Sequence, residues 1–474
     1  MHNISKRMFT AVVLIIMVSM LVAGCGSNNN TSTNGSASAN NAGSSETPST
    51  VDSKKDPVTL KFTYWGSPYE KAAMEAAVAN FEKKYDYIKV NAQHIPADYE
   101  TKLTAMVAGN EAPDIGYVRD FMALPLAEEG KLHNIFDFID QDPELNKEDF
   151  LEQAFIYWAP EKSFGMYTAM ESYGMFYNKE LFKEAGVAEL PTTADKALNW
   201  DQLIEIAKKL TLDKKGRNAN DPNFDHNQIR QYGINFAANF VGYMPLVSSA
   251  GGDYISEDGQ SFGLTQPESI DMIQKMSDLI NVHHVAPSPA ESKSIPAAAA
   301  SIQSKQVAIL MTGQWVLLDL GKSGVDFGIG IMPKIKYQVS SPGFGVASIF
   351  QSSKHPEEAY LFWKWLANPE TSMDLHANGL WMPLMKKYYT DPEFIAKWAD
   401  VKPAHPDGYK EAIMETGLNN FKKHPSAYVK NFVRIDSIVQ PAIERTYFGK
   451  TTAEDAMKSI EQEVNALIQG RYDK

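Results

Sequence analysis

Residues 58–90 read VTLKFTYWGSPYEKAAMEAAVANFEKKYDYIKV. Val58, Leu60, Phe62 and Tyr64 alternate with Thr59, Lys61 and Thr63, which is the two-residue period of a strand with one buried face. Ala73, Ala76, Ala77 and Phe81 then recur at helical spacing. Ile88, Val90 and Ala92 alternate again, now against Lys89, Asn91 and Gln93. Further on, Asp98 fits an N-cap and Gly109 a stop for a second helix, and PDIGYV (113–118) reads as a third strand. Strand, helix, strand, helix, strand predicts a parallel α/β layer. Ligands of such sheets sit beyond the carboxyl ends of the strands. Those ends are Trp65-Gly66-Ser67 and Tyr117 to Asp120.

The middle of the chain repeats the style. GMFYNKELFKEAGV (174–187) leads from a strand into a helix. NWDQLIEIAKKLT (199–211) lines Leu203, Ile206, Ala207 and Leu210 along one helical side. A polar loop then precedes the strand YGINFA, and ESIDMIQKMSDLINVHHV is helical. VAILMTGQW (307–315) is a buried strand running into a turn, and FGIGIMPKI and GFGVASIF are short apolar runs. In PEEAYLFWKWLAN (356–368), Trp363 and Trp365 read as packing residues. The chain from about Ala404 on is mostly helical, and no internal repeat is visible.

The N-terminal segment has a different character. Lys6 and Arg7 precede an apolar stretch, Met8 to Val22, the pattern of a secretory signal. Its fifteen residues fall short of the roughly 20 that a spanning helix needs. Val22-Ala23-Gly24-Cys25 resembles a bacterial lipobox, in which the chain is cut before the cysteine and the thiol carries a diacylglycerol. Residues 26–55, mostly Ser, Asn, Thr, Gly and Ala, bury too little to offset chain entropy and read as a flexible tether. The expected segments are a signal peptide over 1–24 and a lipidated, flexible stretch over 25–56.

The 474 residues carry a formal net charge of −13; removing residues 1–24, whose only charges are Lys6 and Arg7, makes it −15. An acidic chain without a basic tract argues against nucleic acid as a partner. Cys25 is the single cysteine, so no intrachain disulfide forms. Roughly 420 residues follow the tether, more than one ordinary core holds, so two domains are expected. No G-x-S-x-G, phosphate loop or H-E-x-x-H is present. His283 and His284 are adjacent and point apart on a helix, so they read as a solvated helix end rather than a metal site. Asp213 to Asp225 lacks the spacing of a calcium loop. No metal and no cofactor is expected.

The more informative residues form an ordered set: FMALPLAEEGKL after PDIGYVRD, GMYTAMESYGMFYNKELFKEAG with Glu171 six residues before Tyr177-Asn178, and MTGQW ending in Trp315. In this order and spacing they resemble the extracellular solute-binding proteins of sugar ABC transporters, over residues 57–474. The resemblance implies an α/β, two-lobed periplasmic-binding-protein-like (type II) fold with an interlobe ligand cleft. One lobe would comprise 57–168 plus 334–370, the other 169–333 plus 371–474. It implies a monomer, without enzymatic activity, that takes up a carbohydrate, foremost an oligosaccharide, and docks on permease subunits in the membrane. The protein would be held on the extracellular face of the cell membrane by the lipid on Cys25, as in Gram-positive bacteria.

The same resemblance supplies candidate ligand residues. Trp65, with Gly66 leaving room, offers an indole to a pyranose face, or else plugs its lobe. Arg119 and Asp120 could pair with sugar hydroxyls, with a surface ion pair as the alternative for Arg119. Glu171 sits at a lobe crossover as a hydroxyl acceptor or an interlobe ion pair, with Tyr173 beside it. Gly313-Gln314-Trp315 matches a glycine-x-tryptophan whose indole stacks on sugar; a core Trp is the alternative. Gly252, Phe344 and Trp381 belong to further cleft loops. Asp436 stands where the family places another stacking aromatic. Three other readings stay open: an anchored glycoside hydrolase with two carboxylates around a cleft, a sensor subunit, and a binder of a non-sugar solute. Among non-sugar solutes, a polyamine would call for more acids beside the aromatics.

Overall fold

The alternation at 58–64 forms β1 (Val58–Tyr64) of a four-stranded sheet. β1 pairs in parallel with β2 (Ile88–His94) from Val58↔Ile88 to Tyr64↔His94, and with β3 (Ile115–Arg119) on its other side. The computed structural model describes residues 55–167, 170–341 and 345–474. The expectations for the signal peptide, Cys25, the tether and Phe344 lie outside those residues.

The helix Pro68–Lys84 starts where Ser67 caps it in a reciprocal box with Glu70, with Pro68 at its first position and Lys83 and Lys84 in its last turn. Its buried stripe is Met74, Ala77, Val78 and Phe81, spaced i, i+3, i+4, i+7. Ala76, expected inside, is exposed, because the bulkier Met74 and Val78 take the core-facing positions. Asp98 occupies the N-cap of Tyr99–Ala108 but lies in the left-handed region at φ 54° and makes no capping bond. Tyr99 ties that helix down instead: its hydroxyl lies 2.8 Å from Thr63 Oγ1 and donates to the Tyr117 carbonyl at 2.7 Å. This bond accounts for the burial of Thr63 on a face expected to be polar.

β4 (Phe155–Ala159) and β5 (Lys162–Met166) form a hairpin, after which β6 (Tyr173–Asn178) enters a second sheet. That sheet also holds β7 (Leu212–Asp213), β8 (Ile229–Phe236), β9 (Val307–Gly313) and β10 (Phe327–Gly330), in the order β10-β6-β9-β8-β7. β8 and β9 are parallel; β6 is antiparallel to both β9 and β10. The chain then returns to the first sheet as β11 (Gly345–Ile349), antiparallel to β3, giving the order β11-β3-β1-β2. Lys55 to Lys474 form one compact unit. The chain thus enters the second sheet between β5 and β6 and returns to the first between β10 and β11.

Leu203, Ile204, Ala207 and Leu210 of the helix Trp200–Leu210 are buried against the second sheet, with Asn199 and Gln202 forming its capping box. On the first sheet, Phe62 meets Phe362 edge-on at 5.1 Å, and Trp363 is buried against Tyr360. Burying each such side chain contributes about 1.5–3 kcal/mol. Trp363 is thus a packing residue, as its sequence context suggests. The ring of His284 stacks on His226 at 4.3 Å rather than pairing with His283. Among the described residues no group of His, Cys, Asp and Glu could hold a metal ion, and no helix is long and apolar enough to cross a membrane.

Candidate functional site

The carboxyl ends of β1 and β3 bring Trp65 and Arg119 together. The Trp65 indole stands edge-on to Tyr99 and Tyr117, each at 5.0 Å, and the Arg119 guanidinium lies 4.9 Å from its ring centre. Arg119 Nε also donates to Glu100. Gly66 follows at φ +141°, and a β-carbon there would stand 2.6 Å from the Glu70 carboxyl. That opening lets Glu70 fold back and accept from the Ser67 amide. The acid that caps the first helix is therefore also an acid of the site.

The second sheet contributes Trp315. β9 ends at Gly313, and the indole turns back across that glycine and meets Tyr173 edge-on at 5.6 Å. Trp381 approaches from the loop after the helix Pro369–Ala377, with its ring 6.5 Å from Tyr117. Trp65, Trp315 and Trp381 line a cavity of about 260 Å³ together with Glu70, Arg119 and Glu171. Tyr64, Met74, Tyr117, Gly345 and Leu380 complete its wall.

Two carboxyls dominate its electrostatics. Glu171 lies in the segment linking β5 to β6. Burial pushes it up to about 8; Glu70 pushes the same way and Arg119 opposes. Burial pushes Glu70 up to about 7, against the pull of the Ser67 amide and with Asp319 adding to the rise. Ser67 Oγ donates to Asp319 Oδ1 at 2.8 Å, so the helices Pro68–Lys84 and Val316–Ser323 meet at the cavity's edge. A carboxyl near its midpoint at neutral pH can both donate and accept hydrogen bonds.

Several residues expected at the site serve other purposes. Asp120 is fully buried at the start of the helix Asp120–Glu128, accepts from the Phe121 amide at 2.8 Å, and is pushed up to about 7 by burial. It is not part of the cavity wall. Gln314 is also fully buried: its Nε2 donates to the Leu380 carbonyl at 3.0 Å and its Oε1 accepts from Tyr409 at 3.1 Å. It braces the segment that carries Trp381. Tyr173 is buried behind Trp315, and Gly252 packs so closely on Ser269 that a β-carbon would stand 2.3 Å from its Oγ. Asp436 accepts from the Tyr254 hydroxyl at 3.0 Å, and burial pushes it up to about 6. Glu70, Tyr64, Met74, Tyr117 and Leu380 are lining residues that the sequence reading did not select. For Glu70 a signal existed: Ser67-Pro68-Tyr69-Glu70 is a capping box placed directly after a strand end.

The family model described as bacterial extracellular solute-binding protein matches residues 65–373. A maltotriose-binding protein of Pyrococcus abyssi is 24% identical over 304 residues, 62% of this chain and 60% of its own length. An arabinooligosaccharide-binding protein of Halalkalibacterium halodurans is 26% identical over 219 residues, 45% of this chain and 44% of its own. The chain thus spans 60% and 44% of the length of these two curated relatives. An ABC substrate-binding protein of Listeria monocytogenes, solved in complex with cycloalternan, superposes with a TM-score of 0.75 at 24% identity, covering 87% of this chain and 99% of that one. The likeness extends to the α/β architecture as a whole.

Proposed function

The chain belongs to the bacterial extracellular solute-binding proteins, and from that membership we propose that it captures a carbohydrate and delivers it to an ABC importer. It is a binding protein, not an enzyme. One observation carries the carbohydrate reading: Trp65, Trp315 and Trp381 converge on one cavity with Glu70 and Glu171. An indole face suits the C–H face of a pyranose, and carboxyls suit its hydroxyls, since charge-assisted bonds to them are the strong ones. The relatives named for binding maltotriose and arabinooligosaccharide support the same class.

The cycle follows from the two sheets. Lobes of residues 57–168 plus 334–370 and 169–333 plus 371–474 move about the linking segments, a hinge closure around ligand. Ligand favours the closed state only by its affinity difference between the two states. Closure brings Trp65 from one lobe against Trp315 from the other, and the closed monomer docks on the permease subunits. Cys25 carries the lipid, and residues 26–55 hold the lobes clear of the membrane's outer face. Two acyl chains, at about 0.8 kcal/mol per buried methylene, suffice as an anchor.

Calorimetric titration with an oligosaccharide panel tests this reading. Saturable binding of an intact sugar supports it. Binding only of peptides or other non-saccharides overturns it.

A further inference from the structure

Ser67 serves two helices at once. Its Oγ accepts the Glu70 amide at 3.2 Å and so caps the helix Pro68–Lys84, which follows β1 of the first sheet. The same hydroxyl donates its proton to Asp319 Oδ1 at 2.8 Å, on the helix Val316–Ser323 that follows β9 of the second sheet. Among the described residues no other hydrogen bond or ion pair joins these two helices. Beyond the bond, Tyr69 and Ala73 from the first helix and Leu318 and Lys322 from the second line one groove, so that space separates the helices there. A single polar tie thus spans the edge of the cavity.

The tie costs the helix nothing, because a hydroxyl has lone pairs for the cap and a proton to give away. A hydrogen bond to an ionised carboxylate is about twice as strong as a neutral one. Both residues are half-buried, where charges are screened less than on the open surface. Burial raises Asp319, and the Ser67 bond favours its charged form. Asp319 is not in the cavity wall, whereas Glu70, which accepts the Ser67 amide, is. Ser67 lies in the first lobe and Asp319 in the second, so parting the lobes exchanges their bond for water. A contact made in one state only shifts the equilibrium by its own energy difference. We propose that Ser67 and Asp319 form a closure latch at the cavity's rim, with Asp319 as a positioning residue. It sets the ratio of closed to open lobes, and with it the residence time of the ligand, without touching the ligand. This inference rests on the hinge closure proposed above.

The test measures the distance between spin labels at Lys83→Cys and Lys183→Cys, one exposed site in each lobe. The full chain carries Cys25→Ser, so that only the two introduced thiols react. The measurement needs no ligand. The closed distance is the one at which Ser67 and Asp319 meet. Asp319→Ala is expected to shift the ratio of closed to open distances about fivefold or more toward open. Ser67→Thr keeps both the cap and the hydroxyl and is expected to hold the ratio within about twofold of the parent. Bound maltotriose should leave Asp319→Ala about fivefold faster, while its association rate stays within about twofold. Equal distance distributions in the parent and Asp319→Ala overturn the inference and leave the carbohydrate reading, which calorimetry tests by itself, standing. Slower association with unchanged dissociation overturns it too, because that places Asp319 on the ligand's way in. Distances that also stay fixed when a sugar binds remove the hinge closure itself.

Discussion

The Trp315 indole occupies the space that Gly313 leaves empty: a β-carbon on Gly313 would stand 1.8 Å from the ring. The glycine ends β9, whose residues Val307 to Met311 are buried, so the strand has little room to yield. Gly313→Ala should therefore swing the indole out of the cavity and weaken ligand binding by about 10- to 100-fold, or about 1.4–2.8 kcal/mol. Trp315→Ala should lose about as much while leaving the fold intact. The double variant should lose little more than either, because both changes remove one contact. Additive losses in calorimetry would show that Gly313 acts elsewhere.

Proton linkage gives a second prediction. Glu171 and Glu70 have folded values of about 8 and about 7, above the ordinary 4.5. The folded chain thus retains protons that the unfolded chain has released. Their contribution to stability is present below pH 4.5 and lost as pH rises through 7 to 8. The buried His376 and His405 are held down at about 3 and about 4, against 6.5 in the open chain. They act in the opposite direction, but only below pH 6.5, where the unfolded chain takes up protons that they do not. Between pH 6.5 and 8 the raised carboxyls, Asp120 at about 7 among them, act without the histidines. The ligand-free protein should lose up to about 1.4 kcal/mol per pH unit for each of them. Thermal melts across that window should show the slope, and Glu171→Gln should reduce it, with Glu70 and Asp120 still titrating. A wild-type melting point that holds constant from pH 6.5 to 8 would contradict the placement of these acids.

Gln314 lies behind the site and should matter through its bonds. Its replacement by leucine leaves the Leu380 carbonyl and the Tyr409 hydroxyl without their partner in a buried setting. That costs about 1–3 kcal/mol in denaturant unfolding. Ligand affinity should fall as well, because Trp381 follows Leu380 directly. Unchanged stability would mean that the loop finds other partners.

At the opposite end of the chain, Cys25→Ser should move the protein from the membrane fraction into the medium or leave its precursor uncut. Metabolic labelling with a fatty acid measures this. Label retained in the variant would exclude Cys25 as the anchor.

The strand that begins at Val58 shows how far residue patterns reach. Alternation fixes which side of β1 is buried and where the strand ends, and so brings Trp65 to the cavity. The pattern MTGQW does the same for Trp315. The choice of Asp120 beside Arg119 fails for a geometric reason. Tyr117 and Arg119, two apart on β3, share the face that meets the cavity, whereas Asp120 opens a helix and turns inward. Glu70 is not legible as a site residue because its spacing from Ser67 is that of a helix cap, which by itself points to no ligand. Its second role depends on Gly66 at φ +141° and on Asp319, which is 252 residues from Ser67 in the chain. Such long-range meetings leave no local period to read. The antiparallel return of β11 onto β3 is of the same kind: GFGVASIF shows an apolar run, and only the assembled sheet shows its partner.

The most direct test of carbohydrate capture is a calorimetric titration of the purified protein with a panel of oligosaccharides, each mixture being analysed afterwards for cleavage. Saturable one-to-one binding of a saccharide that is recovered intact is the expected result. Cleaved product, or no binding heat from any saccharide, would contradict it.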